Sequence, residues 1–121
     1  MGVSSETKLR ALRLLRVGNG PSIELFEYEG VPQQGPARPS DLGPQHLAFY
    51  VDDIHTVAQA IAEARGELLD GPHPMPGLEA GEGALFHYAR APWGSFIELL
   101  TYPQPQQYAQ VTSLRRWSPH S

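Results

Sequence analysis

The 121-residue chain has no cysteine, which excludes a disulfide framework and a zinc ribbon, so that any bound metal must be held by histidine and carboxylate oxygen. Positive charge is scarce as well. Nine Lys and Arg stand against 13 Asp and Glu, a formal charge of −4, which argues against a nucleic-acid partner held by phosphate neutralisation. Long hydrophobic runs are missing: the longest uncharged apolar stretch, Leu47 to Val51, is far short of the roughly 20 residues that a spanning helix needs. The beginning of the sequence shows no hydrophobic export segment, and the expected location is the cytoplasm. What is plentiful is glycine and proline, 12 of each, which implies long loops around a single domain. At this length a domain buries roughly two thirds of its unfolded surface.

Residues 1–7 read as a lead-in. Lys8 to Val17 (KLRALRLLRV) is ambiguous by periodicity, because its arginines recur every third residue. Asn19-Gly20 is a turn signal, and Ser22 to Tyr28 (SIELFEY) a short strand after it, so a hairpin is expected. Residues 31–45 carry Pro32, Pro36, Pro39 and Pro44 and read as a linker. His46 to Val51 is strand-like, and Asp52-Asp53 caps a helix over Ile54 to Arg65 that Gly66 ends. Ile54, Val57, Ala58, Ile61 and Ala62 form its apolar face. A strand is expected near Glu67 to Asp70, then a breaker-dense loop, Gly71 to Gly83, of the kind that covers binding sites. Ala84 to Arg90 and Phe96 to Tyr102 read as two strands joined through Pro92-Trp93-Gly94. Residues 104–121 form a tail in which Trp117 is expected to act as an anchor.

The chain repeats itself at an offset of 74 residues. Arg16 to Tyr28 aligns with Arg90 to Tyr102, with identity at Arg16/Arg90, Gly20/Gly94, Ile23/Ile97, Glu24/Glu98, Leu25/Leu99 and Tyr28/Tyr102. Turn glycine, acid and aromatic coinciding at one offset indicate duplication. The repeat also resolves the first segment as a strand, because Arg10 to Arg16 aligns with the strand ending at Arg90. The expected fold is therefore α+β: residues 46–103 form a complete strand-helix-strand-strand-strand module, and residues 8–30 a partial one lacking its opening strand and helix.

Strand alternation puts His46, Ala48 and Tyr50 on one face and Leu47, Phe49 and Val51 on the other, which is expected to meet the helix. The same rule turns Glu98 and Glu24 away from the apolar face of their strands. Glu24, His46 and Glu98 thus emerge as a candidate N/O set for a divalent cation. Taken singly, each reads as readily as a solvated side chain. Their symmetric positions in the repeat are what favour a site.

His46-Leu-Ala-Phe-Tyr-Val-Asp-Asp before a helix, and Gly94-x-x-Ile97-Glu98-Leu99 at the close, resemble the vicinal oxygen chelate superfamily, which includes glyoxalase I and the bleomycin resistance proteins. The resemblance covers about Leu9 to Pro103. It implies paired βαβββ modules in a curved mixed sheet with a concave cavity. It also implies a Zn, Ni, Mn or Fe(II) ion on Glu24, His46 and Glu98, with Glu98 or Glu24 moving a proton through an enediolate-type intermediate. The family's fourth ligand belongs to the strand this sequence lacks. That gap leaves a three-ligand site and an open sheet edge, from which a homodimer is expected.

Two functions follow as expectations. One is a metal-dependent lyase or isomerase of glyoxalase type acting on a small substrate with vicinal oxygens. The alternative is a metal-free protein that sequesters a small molecule, with no membrane or nucleic-acid partner in either case. Phe26, Tyr50, Tyr88, Trp93 and Tyr102 are read as cavity wall and specificity surface, with Arg90 placed either to receive an anionic substrate or to hold strand-end carbonyls. His73 and His87 read as packing or surface residues, and His55 and His120 as solvated.

Overall fold

The computed structural model describes residues 3–43 and 45–118; His120 lies outside them. The chain divides into two compact units, one containing residues 3–34 and the other Gly35–Ser118. The first is a two-stranded antiparallel hairpin of β1 (Lys8–Arg16) and β2 (Ser22–Glu29). Its strands pair from Arg16↔Ser22 out to Lys8↔Glu29, with a register shift between Leu9 and Ala11. Arg10, at the shift, forms an ion pair with Glu27 at 3.2 Å.

The second unit runs β3 (His46–Tyr50), α1 (Ile54–Glu63), β4 (Glu67–Leu68), β5 (His73–Pro74), β6 (Leu85–Arg90) and β7 (Phe96–Thr101). Its mixed five-stranded sheet has the order β3-β7-β6-β4, with β5 also paired to β6. β3 is parallel to β7, and the other pairings are antiparallel. The architecture is α+β, mostly sheet, as expected.

The single strand expected over Glu67 to Asp70 is shorter, and part of the presumed loop is β5. Both segments pair with β6, interrupted by Gly71 and Pro72. Pro72 has no N–H to donate to a ladder, and Gly71, at φ +146°, lies where an added Cβ would stand 2.7 Å from the His87 ring. The remainder of that loop holds a single 3-10 turn, Gly77–Glu79.

Asp53 starts α1 as anticipated. Its Oδ1 accepts hydrogen bonds from the backbone N–H of His55 and of Thr56, each at 3.0 Å, and its Oδ2 accepts from Thr56 Oγ1 at 2.8 Å. The bonds from Thr56, above all, hold the Asp53 carboxyl below its usual 3.8. A carboxyl depressed in the folded state contributes stability above its unfolded value that is lost as pH falls through the folded one. Asp53→Asn, which keeps a capping oxygen, is expected to weaken the acid dependence of the melting temperature below about pH 4, as followed by circular dichroism.

The helix ends at Glu63, two residues earlier than its sequence pattern suggests. Arg65 takes a left-handed φ of +67°. The N–H of Arg65 bonds to Ala62 O at 3.0 Å and that of Gly66 to Ile61 O at 2.8 Å, the paired closure of a Schellman motif. Gly66 is needed for close approach, since a Cβ there would stand 2.4 Å from Ile61 Cγ2.

Ile54, Ala58 and Leu99 form the core, with Val51, Val57, Ile61, Leu68, Leu85 and Ile97 packed around them. Ala62, expected on the buried face, is exposed. Leu47 is 53% exposed, because β3 lies at the sheet's edge while α1 packs over β4, β6 and β7. No helix among the described residues is long and apolar enough to cross a membrane.

The repeat has a structural counterpart in each hairpin. Arg16↔Ser22 and Leu14↔Glu24 in β1-β2 match Arg90↔Phe96 and Tyr88↔Glu98 in β6-β7 at the same 74-residue offset. The turns close alike, with Gly20 N–H bonding Val17 O at 2.8 Å and Gly94 N–H bonding Ala91 O at 2.7 Å. Glu24 and Glu98 therefore hold equivalent register positions, each within its own hairpin.

Candidate functional site

The face of the five-stranded sheet that turns away from α1 is fixed by register. β6 presents Phe86, Tyr88 and Arg90 to it, β7 presents Phe96, Glu98 and Leu100, and β3 presents His46, Ala48 and Tyr50. Leu99 and Ile97 point the other way, into the core. His46 and Glu98, placed on one face by alternation alone, meet there: His46 Nε2 lies 3.1 Å from Glu98 Oε2, with the side chains 36% and 15% exposed. The His46 ring also packs edge-on against Tyr88 at 5.5 Å. Burial first, then the charge of Glu98 and a hydrogen bond with it, push the Tyr88 hydroxyl above its usual range.

Beside this pair is a cavity of about 340 Å³. β6 and β7 contribute Phe86, Tyr88, Glu98 and Leu100 to its wall. Met75, Pro76 and Glu79 come from the segment between β5 and β6, and Arg116 from the tail. Its size is at the small end of ligand sites, and a mostly apolar lining with a few polar groups is their usual composition.

The tail is tied to the 75–79 segment. Gln106, buried to 4% exposure, donates from Nε2 to Glu79 O and approaches Met75 Sδ at 3.2 Å. Arg116 forms an ion pair with Glu79, and its guanidinium lies 5.1 Å from the Tyr102 ring centre. Tyr102 donates to Trp117 O at 3.2 Å, and burial raises the pKa of its hydroxyl although Arg116 opposes the shift. Trp117 thus anchors through its backbone, while its side chain stays exposed.

The remaining candidates are distributed as follows. Tyr50 packs edge-on against Tyr102 at 4.8 Å. Arg90 stacks 5.0 Å over Phe96 and reaches Glu67 at 3.7 Å, and it is not in the cavity wall. Trp93 lies in the exposed turn between β6 and β7. Glu24 and Phe26 lie on β2 in the first unit, where both are exposed and Phe26 stacks on Tyr28 at 6.0 Å. His87 is buried, with Nε2 donating to Leu69 O at 2.9 Å, and His73 pairs with Asp70 at 3.0 Å.

Among the described residues no group of three or more His, Asp or Glu side chains is placed to hold a metal ion. The His46–Glu98 pair is nevertheless suited to be two donors of such a site.

Sequence reasoning missed Met75, Glu79 and Arg116 as cavity residues. Met75 and Glu79 belong to the loop read as a cover; Arg116 carries no periodic signal. No protein-family model matches the chain, and no curated protein matches it. Two solved structures do. One is an integron cassette protein from the mobile metagenome of V. cholerae, 21% identical, covering 75% of this chain and 76% of its own, with a TM-score of 0.41. The other comes from the mobile metagenome of V. pseudocholerae, 17% identical, covering 77% of each chain, with a TM-score of 0.44.

Proposed function

We propose that the protein is a small-molecule lyase or isomerase of glyoxalase type, in which His46 and Glu98 are two donors to a divalent metal ion beside the cavity. The observation that carries this reading is the 3.1 Å approach of His46 Nε2 to Glu98 Oε2 on the open sheet face. Glu24 is the counterpart of Glu98 in the repeat and belongs to the first unit. The paired-module architecture belongs to the same proposal and draws on the matching registers of the two hairpins.

A divalent ion would supply Lewis acidity toward adjacent substrate oxygens. The chain's own residues have separate tasks. Glu98 is the carboxylate assigned to hold or move a proton, through the oxygen that is not directed at His46. Phe86, Leu100 and Met75 exclude water from the bound substrate.

A second reading, metal-free sequestration of a small molecule, is favoured by one feature. Glu98 is already paired with His46, so its carboxylate has a partner without an ion.

The test is elemental analysis of chelator-stripped protein reloaded with Mn²⁺, Ni²⁺, Fe²⁺ or Zn²⁺, with thermal shift in parallel. One ion per chain and a raised melting temperature are expected, since a ligand bound to the folded state alone stabilises it by about 2.7 kcal/mol at a hundredfold excess over Kd. No retained ion and no shift would end the metal reading. β3 ends the sheet, and its open edge is proposed to pair with a second copy. Light scattering on the same samples is expected to give twice 13.3 kDa; a monomer mass would remove the dimer.

A further inference from the structure

We propose that the cavity takes a small organic anion, a carboxylate on an apolar body, and that Arg116 selects it. This rests on the cavity being a ligand site, and not on the metal assignment.

Arg116 is the one cationic side chain among the lining residues described. It is fixed in a manner unusual for an arginine in a polar tail. Its backbone N–H donates to the Tyr108 hydroxyl at 3.0 Å, and its guanidinium sits over the Tyr102 ring. Nη2 bonds to Glu79, and Nη1 reaches Gln106 Oε1 at 3.5 Å. A guanidinium offers five N–H donors in a rigid fork. These two side-chain bonds use two of the five. Arg115, its neighbour, directs Nη1 at the Thr112 and Leu114 carbonyls instead.

The two carboxylates of the wall are both already paired, Glu79 with Arg116 and Glu98 with His46. Glu98 already lies 3.1 Å from His46 Nε2, so a ligand ammonium would compete with that partner for the carboxylate. An organic acid meets unused donors on Arg116 and competes only with Glu79, whose side chain is 50% exposed and free to turn into water. The apolar remainder of the wall, Met75, Pro76, Phe86 and Leu100, suits a hydrocarbon or aromatic body.

Calorimetric titration with phenylacetate, phenylacetamide and phenethylamine, in EDTA, tests this. The full chain is expected to bind phenylacetate at least about tenfold more tightly than the amide, the scale of a charge-assisted fork bond. Arg116→Gln should erase that preference, bringing phenylacetate binding to the level of the amide. Glu79→Gln removes the competing carboxylate and should strengthen phenylacetate binding several-fold, an effect of opposite sign that a misfolded variant does not produce. Equal binding of amide or amine, an acid preference that survives Arg116→Gln, or no binding at millimolar concentration overturns the proposal. So does a preference that appears only when metal replaces EDTA, which would assign the anion to the ion. The metal reading is decided separately by elemental analysis.

Discussion

Ile54→Ala is expected to lower the stability of the second unit by about 2–5 kcal/mol, the range for truncating a well-buried aliphatic side chain. Ile54 is 2% exposed and is the largest fully buried side chain described. It joins the first turn of α1 to Leu99 on β7, with Ala58 one turn further along. Two of the three buried members of that cluster are helix residues, so truncation at Ile54 opens a cavity in the helix-sheet seam. Domains of this size have about 5–15 kcal/mol in total. At about 4–8 °C per kcal/mol for a unit of this size, the loss should appear as a fall of about 8–40 °C in melting temperature. Ile54→Val should cost only about 0.5–1.5 kcal/mol, and Leu47→Ala, at an exposed edge position, within about 0.5 kcal/mol. A melting temperature for Ile54→Ala within a few degrees of the parent would show that the core is centred elsewhere.

This contrast between Ile54 and Leu47 also marks how far the sequence could be read. The 3.6-residue spacing of Ile54, Val57, Ala58 and Ile61 is a local property, and the helix buries that face. Strand alternation is equally local, and it placed His46 and Glu98 on one face correctly. What alternation cannot convey is a strand's rank within a sheet. Leu47 was expected under the helix, but β3 is terminal and the helix lies over its neighbours. Breaker-rich segments are legible as segments and not as contacts: residues 71–83 read as a cover, yet β5 within them was invisible because its two residues are His73 and Pro74. Arg116 was missed for a related reason. Its position depends on Gln106, Tyr108 and Tyr102, partners brought together by a turn with no apolar period. The repeat stood out because it is a comparison of the chain with itself, and the two hairpin registers match it pair for pair.

Glu98→Gln separates the two functional readings most sharply. The substitution keeps the side chain's size and a hydrogen-bonding oxygen for Tyr88, while removing the negative charge that a cation needs. Altering groups that merely support a metal ligand costs about 10–100-fold in affinity, so loss of a ligand charge is expected to cost at least about 100-fold. On the metal reading, Glu98→Gln protein should emerge from reloading without its ion, and His46→Ala should behave likewise. The Tyr88 hydroxyl supplies an independent readout, since the Glu98 charge is one of the causes that raise its pKa. Ultraviolet titration should find Tyr88 ionising at lower pH in Glu98→Gln, confirming that the variant is folded and the charge removed. On the sequestration reading the same variant leaves phenylacetate affinity undiminished or raised, because the anion is held by Arg116 and the charge at residue 98 only opposes it. Retention of a full equivalent of metal by folded Glu98→Gln protein would remove Glu98 from the ligand set. With it would go the reason for assigning metal chemistry to His46.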